Sequence, residues 1–276
     1  MKSVALALGS GGARGLAHIA VVEALDELGV KPVAIAGASI GALIGAAYAA
    51  GMRGKDIRRY AIALAHGRRG EIRRRLMQSR AGTLSDFFAG AFSQATQMDA
   101  EKFCAQFLPE QVPGDFSALD IPLTVMATDL YRRQEVRLSS GPLHPAVAAS
   151  IAIPGLFRPV LIDGRILIDG GTTNPLPFDV LTGQADIVMA VDVFGIPAAE
   201  RADMPSTWEC VFTTIVVMGG AIVAAKLSHT EPDMLIRPNV ATFRTLDFYQ
   251  ASAILRTADA VKAEVKEKLG ALLPDC

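Results

Sequence analysis

The sequence has few cysteines, few aromatic residues and no strong excess of charge of either sign. Its three cysteines, Cys104, Cys210 and Cys276, lie far apart and form no CxxC pair. We therefore expect neither a disulfide framework nor a zinc site. We also expect the protein to reside in a reducing compartment. A formal net charge of −1 gives no general attraction to nucleic acid. Metal-binding spacings such as HExxH or an EF-hand loop are also absent, so we expect no metal and no cofactor.

Apolar runs of the length that a membrane span requires, roughly 20 residues, are also lacking. The run after Lys2 ends at Gly9, and Arg14 follows without a convincing cleavage site. We interpret it as a buried first strand rather than a signal peptide. Two glycines interrupt the apolar stretch 211–225, which we interpret as a buried helix, with a lipid-contacting helix as the alternative. We expect a cytoplasmic protein, associated with membranes at most at the periphery.

Alternating strand and helix patterns indicate an α/β fold. Short apolar runs at 3–8, 33–36, 122–129 and 187–193 are typical of buried strands, and a helical pattern follows each of the first two. Such alternation predicts a largely parallel central sheet flanked by helices. Because the sequence contains no internal repeat or low-complexity linker, we predict a single domain over residues 1–276.

The segment Gly37-Ala38-Ser39-Ile40-Gly41 matches GxSxG between a predicted strand and a predicted helix. A serine on that sharp turn projects its hydroxyl near the positive end of the helix, where an oxyanion is stabilised. Small residues at Gly37 and Gly41 avoid clashes at the turn. The context favours a nucleophile at Ser39 over a tight turn that merely requires glycine.

A glycine-rich loop, Gly9-Ser-Gly-Gly-Ala-Arg-Gly15, joins the first predicted strand to the first predicted helix. Its backbone N–H groups can bind an anion, either a dinucleotide phosphate or a tetrahedral oxyanion. The dinucleotide fingerprint GxGxxG fails because Arg14 occupies the third glycine position, and the second strand ends without an acidic residue. An oxyanion hole facing Ser39 is therefore the preferred interpretation.

The base that serves Ser39 is predicted to be either an aspartate or a histidine. Asp169-Gly170-Gly171 directly follows the predicted strand 165–168, and a carboxylate beside two glycines can lie close to another backbone. A simple Asp-Gly turn is the competing interpretation. Of the four histidines, only His229 follows a plausible acid in the order Ser, Asp, His. A Ser-His-Asp esterase therefore stays an alternative.

The three motifs, in this order and spacing, resemble the patatin-like phospholipase family, in particular its small bacterial members. The resemblance implies a three-layer patatin-like fold, with a motif-bearing core over residues 3–195 and a helical completion over residues 205–270. It also implies a catalytic dyad without histidine, in which Ser39 attacks an ester carbonyl and Asp169 takes its proton directly. The glycines that complete the motifs are Gly9, Gly37, Gly41, Gly170 and Gly171.

The resemblance assigns roles to the glycine loop and a substrate class to the protein. The four residues Gly11, Gly12, Ala13 and Arg14 are expected to form the oxyanion hole. Backbone N–H groups around the first three would be its donors, and Arg14 would order the loop. The expected activity is that of a lipid acyl hydrolase, phospholipase A-like or a lysophospholipase. From another class of function, a weakly active regulatory or adaptor protein at membranes is the alternative.

A strongly basic stretch begins at Arg53 and ends at Arg80, and only Asp56 and Glu71 oppose its positive charge. One interpretation is a solvated helical face. The other is a patch that contacts anionic lipid or a partner, which would give peripheral membrane contact.

Overall fold

The computed structural model describes residues 2–67, 97–194, 204 and 207–273, with only the backbone at 66, 67, 208 and 209. Its strands are β1 Val4–Leu8, β2 Ala34–Ala38, β3 Leu123–Asp129, β4 Gln134–Leu138, β5 Val160–Ile162, β6 Arg165–Asp169, β7 Ile187–Val191 and β8 Met234–Ile236. Its helices are α1 His18–Glu27, α2 Ile40–Ala49, α3 Gly54–Gly67, α4 Ala100–Phe107, α5 Leu143–Ser150, α6 Thr207–Leu227, α7 Ala251–Ala258 and α8 Val261–Leu272.

A largely parallel sheet forms the centre of the protein, as the sequence predicts. The fully buried strand β1 pairs in parallel with β2 on one side and β7 on the other. Its side chains alternate between two apolar clusters: Leu6 and Leu8 belong to the one that includes α1 and α2, and Ala5 and Ala7 to the one around Phe178. Both faces of the sheet are thus covered, which gives the three-layer arrangement of the predicted fold.

The strand β3 connects the parallel part of the sheet to its antiparallel part. Three strands pair with β3. Strand β2 pairs with its residues 123–126, β6 with its residues 127–129, and β4 with its residues 125–129. Because a strand has two edges and β4 occupies one of them, β2 and β6 share the other, one after the other. Ala38 pairs with Met126, and Asp169 pairs with Ala127. The ends of β2 and β6 therefore meet at neighbouring positions.

The helix α6 corrects the prediction of a buried helix at 211–225. Gly219 and Val223 are the only buried residues among those of α6 whose side chains the structure describes. Val217 and Met218 are 64% and 59% exposed. This face of the sheet is already covered by the 3₁₀ turn Pro177–Leu181, whose residues pack with Val223 in one cluster. By length and composition alone, the segment Cys210–Leu227 could cross a membrane.

The first part of the basic stretch forms α3, where acidic partners neutralise some of its charge. Arg58 donates two hydrogen bonds to the carboxylate of Glu23, at 2.6 and 2.7 Å, and one to Asp259 at 2.6 Å. Arg59 pairs with Asp56. Arg58 therefore serves the packing of α3 against α1 and the C-terminal helices. Residues 68–80, which carry the other arginine clusters, lie outside the described residues.

Candidate active site

Ser39 occupies the turn between β2 and α2 in a strained conformation. Its φ of 54° and ψ of −123° are uncommon for a residue other than glycine, and such strain is typical of functional sites. The backbone N–H of Ser39 donates to the hydroxyl oxygen of Ser150 at 2.9 Å. Because α2 begins at the next residue, Ser39 lies at the positive end of the helix.

Asp169, the last residue of β6, accepts a hydrogen bond from Ser39. The distance from Ser39 Oγ to Asp169 Oδ2 is 2.6 Å, and the N–H of Gly171 donates to Oδ1 at 2.7 Å. Burial raises the pKa of Asp169 to about 6, although the hydrogen bonds from Ser39 and Gly171 oppose this rise. The carboxylate is consequently ionised at neutral pH, yet more basic than an aspartate in water.

Two glycines allow the segments of the site to approach one another closely. A β-carbon at Gly41 would overlap the carbonyl oxygen of Leu8, and one at Gly170 would overlap the carbonyl oxygen of Met126. Gly41 thus lets α2 begin against the end of β1, and Gly170 lets the chain turn away directly after Asp169. The glycines of these motifs are required for close packing as well as for turning the chain.

The glycine loop lies over the Ser39 turn, and its N–H groups differ in their partners. The N–H of Ala13 donates to the carbonyl of Thr245 at 2.7 Å. In the 3₁₀ helix Gly12–Ala17, the N–H of Arg14 donates to the carbonyl three residues earlier, that of Gly11. Within the described residues, the N–H groups of Gly11 and Gly12 donate no hydrogen bond to a backbone carbonyl outside the helices and strands. The structure therefore leaves these two donors, of the four residues predicted for the oxyanion hole, available to a ligand.

The side chain of Arg14 ties the glycine loop to two distant segments. Its Nε donates to the carbonyl of Phe243 at 2.9 Å, and its Nη1 donates to the carbonyl of Phe194 at 2.6 Å. A planar guanidinium can satisfy two carbonyls at once, which a lysine cannot do in the same geometry.

His18 is a contact of the glycine loop that the sequence motifs do not indicate. It is completely buried at the start of α1, and its Nε2 lies 2.8 Å from the carbonyl oxygen of Gly9. Burial lowers the pKa of His18 to about 4, so the neutral ring donates from Nε2 to Gly9. Its position three residues after Gly15 is the only sequence signal, and that spacing alone is typical of many core histidines.

The histidine of the alternative triad lies elsewhere. His229 is exposed just beyond α6, and its Nδ1 lies 2.8 Å from the carbonyl oxygen of Ala225. Of the three histidines whose side chains the structure describes, His18, His144 and His229, none forms a hydrogen bond with Ser39 or Asp169. Over the same residues, no group of three His, Cys, Asp or Glu side chains is arranged to hold a metal ion.

A three-layer α/β fold with a serine at a strand–helix turn, a facing glycine loop and a strand-end aspartate defines the class of this protein. The family model of patatin-like phospholipases matches residues 6–182, and the chain belongs to this family. Among solved structures, VipD from Legionella pneumophila aligns over 96% of this chain and 66% of its own, with a TM-score of 0.51 and 15% identity. That likeness concerns the fold alone.

Curated relatives are similar in sequence but considerably longer. An uncharacterized NTE family protein of Mycobacterium tuberculosis is 39% identical over 201 residues, which is 72% of this chain and 51% of the relative. The lysophospholipase nte1 of Aspergillus niger is 33% identical over 303 aligned residues, covering 97% of this chain and 18% of its own. The chain thus spans about half the length of the first relative and less than a fifth of the second.

Proposed function

We propose that this protein is a serine lipid acyl hydrolase that uses Ser39 and Asp169 as a catalytic dyad. The observation that carries the proposal is the 2.6 Å hydrogen bond from the Ser39 hydroxyl to a buried carboxylate whose pKa is raised to about 6. A base in direct contact with the nucleophile needs no histidine between them. Membership in a family of phospholipases supports the acyl ester as the reacting bond.

The first half of the proposed reaction transfers the acyl group to the enzyme. Ser39 Oγ attacks the ester carbonyl carbon while its proton passes to Asp169 Oδ2. Negative charge forms on the carbonyl oxygen, and the N–H groups of Gly11 and Gly12 stabilise it. One such donor is worth about 3 kcal/mol of barrier. Collapse of the intermediate breaks the bond to the alkoxide, which takes the proton from Asp169 and departs as an alcohol.

The second half hydrolyses the acyl-enzyme. A water molecule occupies the place of the departed alcohol, and Asp169 accepts its proton as the oxygen attacks the acyl carbonyl. The same N–H groups stabilise the second oxyanion. Ser39 then leaves with the proton held by Asp169, which restores both residues and releases a carboxylic acid.

The proposed substrates are phospholipids, lysophospholipids or related esters. A relative named lysophospholipase supports the lysophospholipid, and the family description supports a phospholipid, for which we propose phospholipase A-like cleavage. We further propose that the protein is cytoplasmic and contacts membranes at its periphery, with the stretch from Arg53 to Arg80 as one contact. Comparing binding to anionic and neutral vesicles at low salt tests that contact, and equal binding would contradict it.

The proposal is tested by measuring hydrolysis of a soluble short-chain ester and of a lysophospholipid. We expect Ser39→Ala and Asp169→Asn to lose at least a hundredfold in kcat/KM, while His229→Ala stays within twofold of the wild type. A collapse of activity in His229→Ala would favour a Ser-His-Asp triad instead. A folded wild type without turnover of any ester would favour the adaptor protein.

A further inference from the structure

The outward face of α6 is apolar along most of the helix, although it lies in solvent. The sixteen residues 210–225 include no charged residue and no Asn or Gln. Val211, Val217 and Met218 are 44%, 64% and 59% exposed, and they share this face with Cys210, Thr214 and Ala221. Isolated exposed apolar residues are common, but a contiguous patch marks a surface that binds a membrane or a partner.

The Thr214 hydroxyl, which lies on this face, has its partner within the helix. The hydroxyl of Thr214 donates to the carbonyl of Cys210 at 2.8 Å, one helical turn before it. The helix satisfies its remaining backbone groups internally. A surface of this kind can enter an apolar medium without leaving donors or acceptors unsatisfied.

The inward face of α6 is attached directly to the candidate active site. The helix packs against the turn Gly170–Thr172, which follows Asp169. Near its end, Lys226 donates to Asn174 Oδ1 at 2.6 Å and to the carbonyl of Leu176 at 3.2 Å. The helix therefore holds its apolar face at a fixed position relative to the dyad.

A second contact connects α6 to the glycine loop. A β-carbon at Gly219 would come within 2.8 Å of the ring of Phe194, so the helix packs tightly on that ring. The carbonyl of the same residue accepts the hydrogen bond from Arg14. Both halves of the site, the aspartate and the loop, thus have a neighbour that contacts α6.

We infer that the outward face of α6 is a lipid-docking surface that seats the protein on a bilayer next to its active site. The inference rests on the proposed function, because a lipid acyl hydrolase must work where its substrate aggregates. A protein partner would form hydrogen bonds across its interface, whereas residues 210–225 include no charged residue and no Asn or Gln. The opposite face packs on the protein, so the helix lies on the lipid surface and does not cross it.

The inference is tested by co-sedimentation with phosphatidylcholine vesicles, with Ser39→Ala in every sample so that the lipid stays intact. We expect the protein with an unchanged α6 to bind neutral vesicles equally at low and high salt. Val217→Asp with Met218→Asp should reduce the bound fraction at least tenfold, whereas Val217→Leu with Met218→Leu should retain it. Leu161→Asp, at a residue 69% exposed on β5, should bind like the wild type.

Four outcomes would overturn the inference. One is unchanged binding of the aspartate pair, and another is equal loss with Leu161→Asp. The third is binding confined to anionic vesicles and abolished by salt, which would assign the contact to the basic stretch. If light scattering shows a dimer that the aspartate pair dissociates, the face binds a second copy of the chain and the inference is also wrong.

A probe on the helix gives a measurement that does not depend on folding of the aspartate pair. Cys210 is exposed, whereas Cys104 is buried and burial raises the pKa of its thiol to about 12. With Cys276→Ser, an environment-sensitive fluorophore on Cys210 should shift its emission to the blue on neutral vesicles. The same fluorophore on Leu161→Cys, with Cys210→Ser, should not shift, and an unshifted Cys210 probe would contradict docking.

Activity measurements distinguish this inference from the proposed function. With Ser39 restored, the aspartate pair should lose at least tenfold in hydrolysis of vesicle lipid and stay within twofold for a soluble short-chain ester. Loss on both substrates would show damage to the site rather than to docking. Vesicle binding by a protein that hydrolyses neither substrate would retain the docking surface and reject the proposed function.

Discussion

Ser39 and Asp169, 130 positions apart in the chain, meet because their strands end at adjacent residues of β3. Ala38 pairs with Met126, and Asp169 pairs with Ala127 on the same edge. The parallel strand β2 and the antiparallel strand β6 thus approach end to end along that edge. The 2.6 Å contact between serine and carboxylate is built into the register of the sheet.

The pH dependence of the reaction should follow the ionisation of Asp169. Because burial raises its pKa to about 6, kcat/KM for a soluble ester should fall about tenfold per pH unit below this value. The base is protonated there and cannot accept the proton of Ser39. Measuring kcat/KM from pH 4.5 to 8.5 tests this prediction. A profile that stays flat down to pH 5 would contradict it.

The same carboxylate should lower the stability of the protein at neutral pH. Its pKa rises on folding from an ordinary value of 3.8 to about 6, so the folded state binds the proton more tightly. Stability is then greatest below pH 4, falls between pH 4 and 6, and is constant above. Asp169→Asn lacks this dependence. Its free energy of unfolding, measured in urea, should exceed that of the wild type by up to about 3 kcal/mol at pH 7. If the free energies of unfolding of Asp169→Asn and the wild type differed by the same amount at pH 4 and pH 7, the prediction would be contradicted.

The close approach of α2 to β1 predicts that Gly41 does not tolerate a side chain. A β-carbon there would overlap the carbonyl oxygen of Leu8, so Gly41→Ala should destabilise the protein by about 2 kcal/mol or more and reduce activity. Gly270→Ala is the matched control, because no atom of the described part of the chain lies within 4 Å of its β-carbon position in α8. It should stabilise the protein by up to about 1 kcal/mol. The melting temperatures of both variants are measured by thermal unfolding, and similar values for Gly41→Ala and Gly270→Ala would contradict the prediction.

Much of the fold and the site could be predicted from the sequence because the signals are local. The apolar runs indicate the central strands, and GxSxG at a strand–helix boundary indicates the Ser39 turn. The glycines of Asp169-Gly-Gly indicate a close approach but not its partner. Asp169 meets Ser39 only through the register of β3, which is set by pairing between distant segments and leaves no mark in either motif.

Other features depend on tertiary contacts that the sequence does not reveal. The N–H of Ala13 is taken by Thr245, more than two hundred residues later. The exposure of α6 follows from a sheet face already covered by Phe178 and its neighbours. Composition alone favours burial for such a helix. Strand β8, only three residues long, carries too short a pattern to be recognised.

The ion pairs of α3 predict different roles for two adjacent arginines. Arg58→Ala should destabilise the protein by about 2 kcal/mol, because it removes two charged hydrogen bonds from a buried carboxylate, that of Glu23. Arg59→Ala is the control, since that side chain is 76% exposed and its one ion pair among the described residues is with nearby Asp56. It should change the free energy of unfolding by less than about 0.5 kcal/mol. The free energy of unfolding of each variant is measured in urea. Equal losses in the two variants would mean that Arg58 belongs to a solvated helical face and does not stabilise the packing of α3.

The central claim is that Ser39 is a nucleophile activated by Asp169, and labelling with a fluorophosphonate probe tests it most directly. We expect rapid labelling of the wild type and none of Ser39→Ala. Asp169→Asn should be labelled at least a hundredfold more slowly, with all three proteins checked for folding. Undiminished labelling of Ser39→Ala, wild-type rates in Asp169→Asn, or a folded wild type that stays unlabelled would contradict the account.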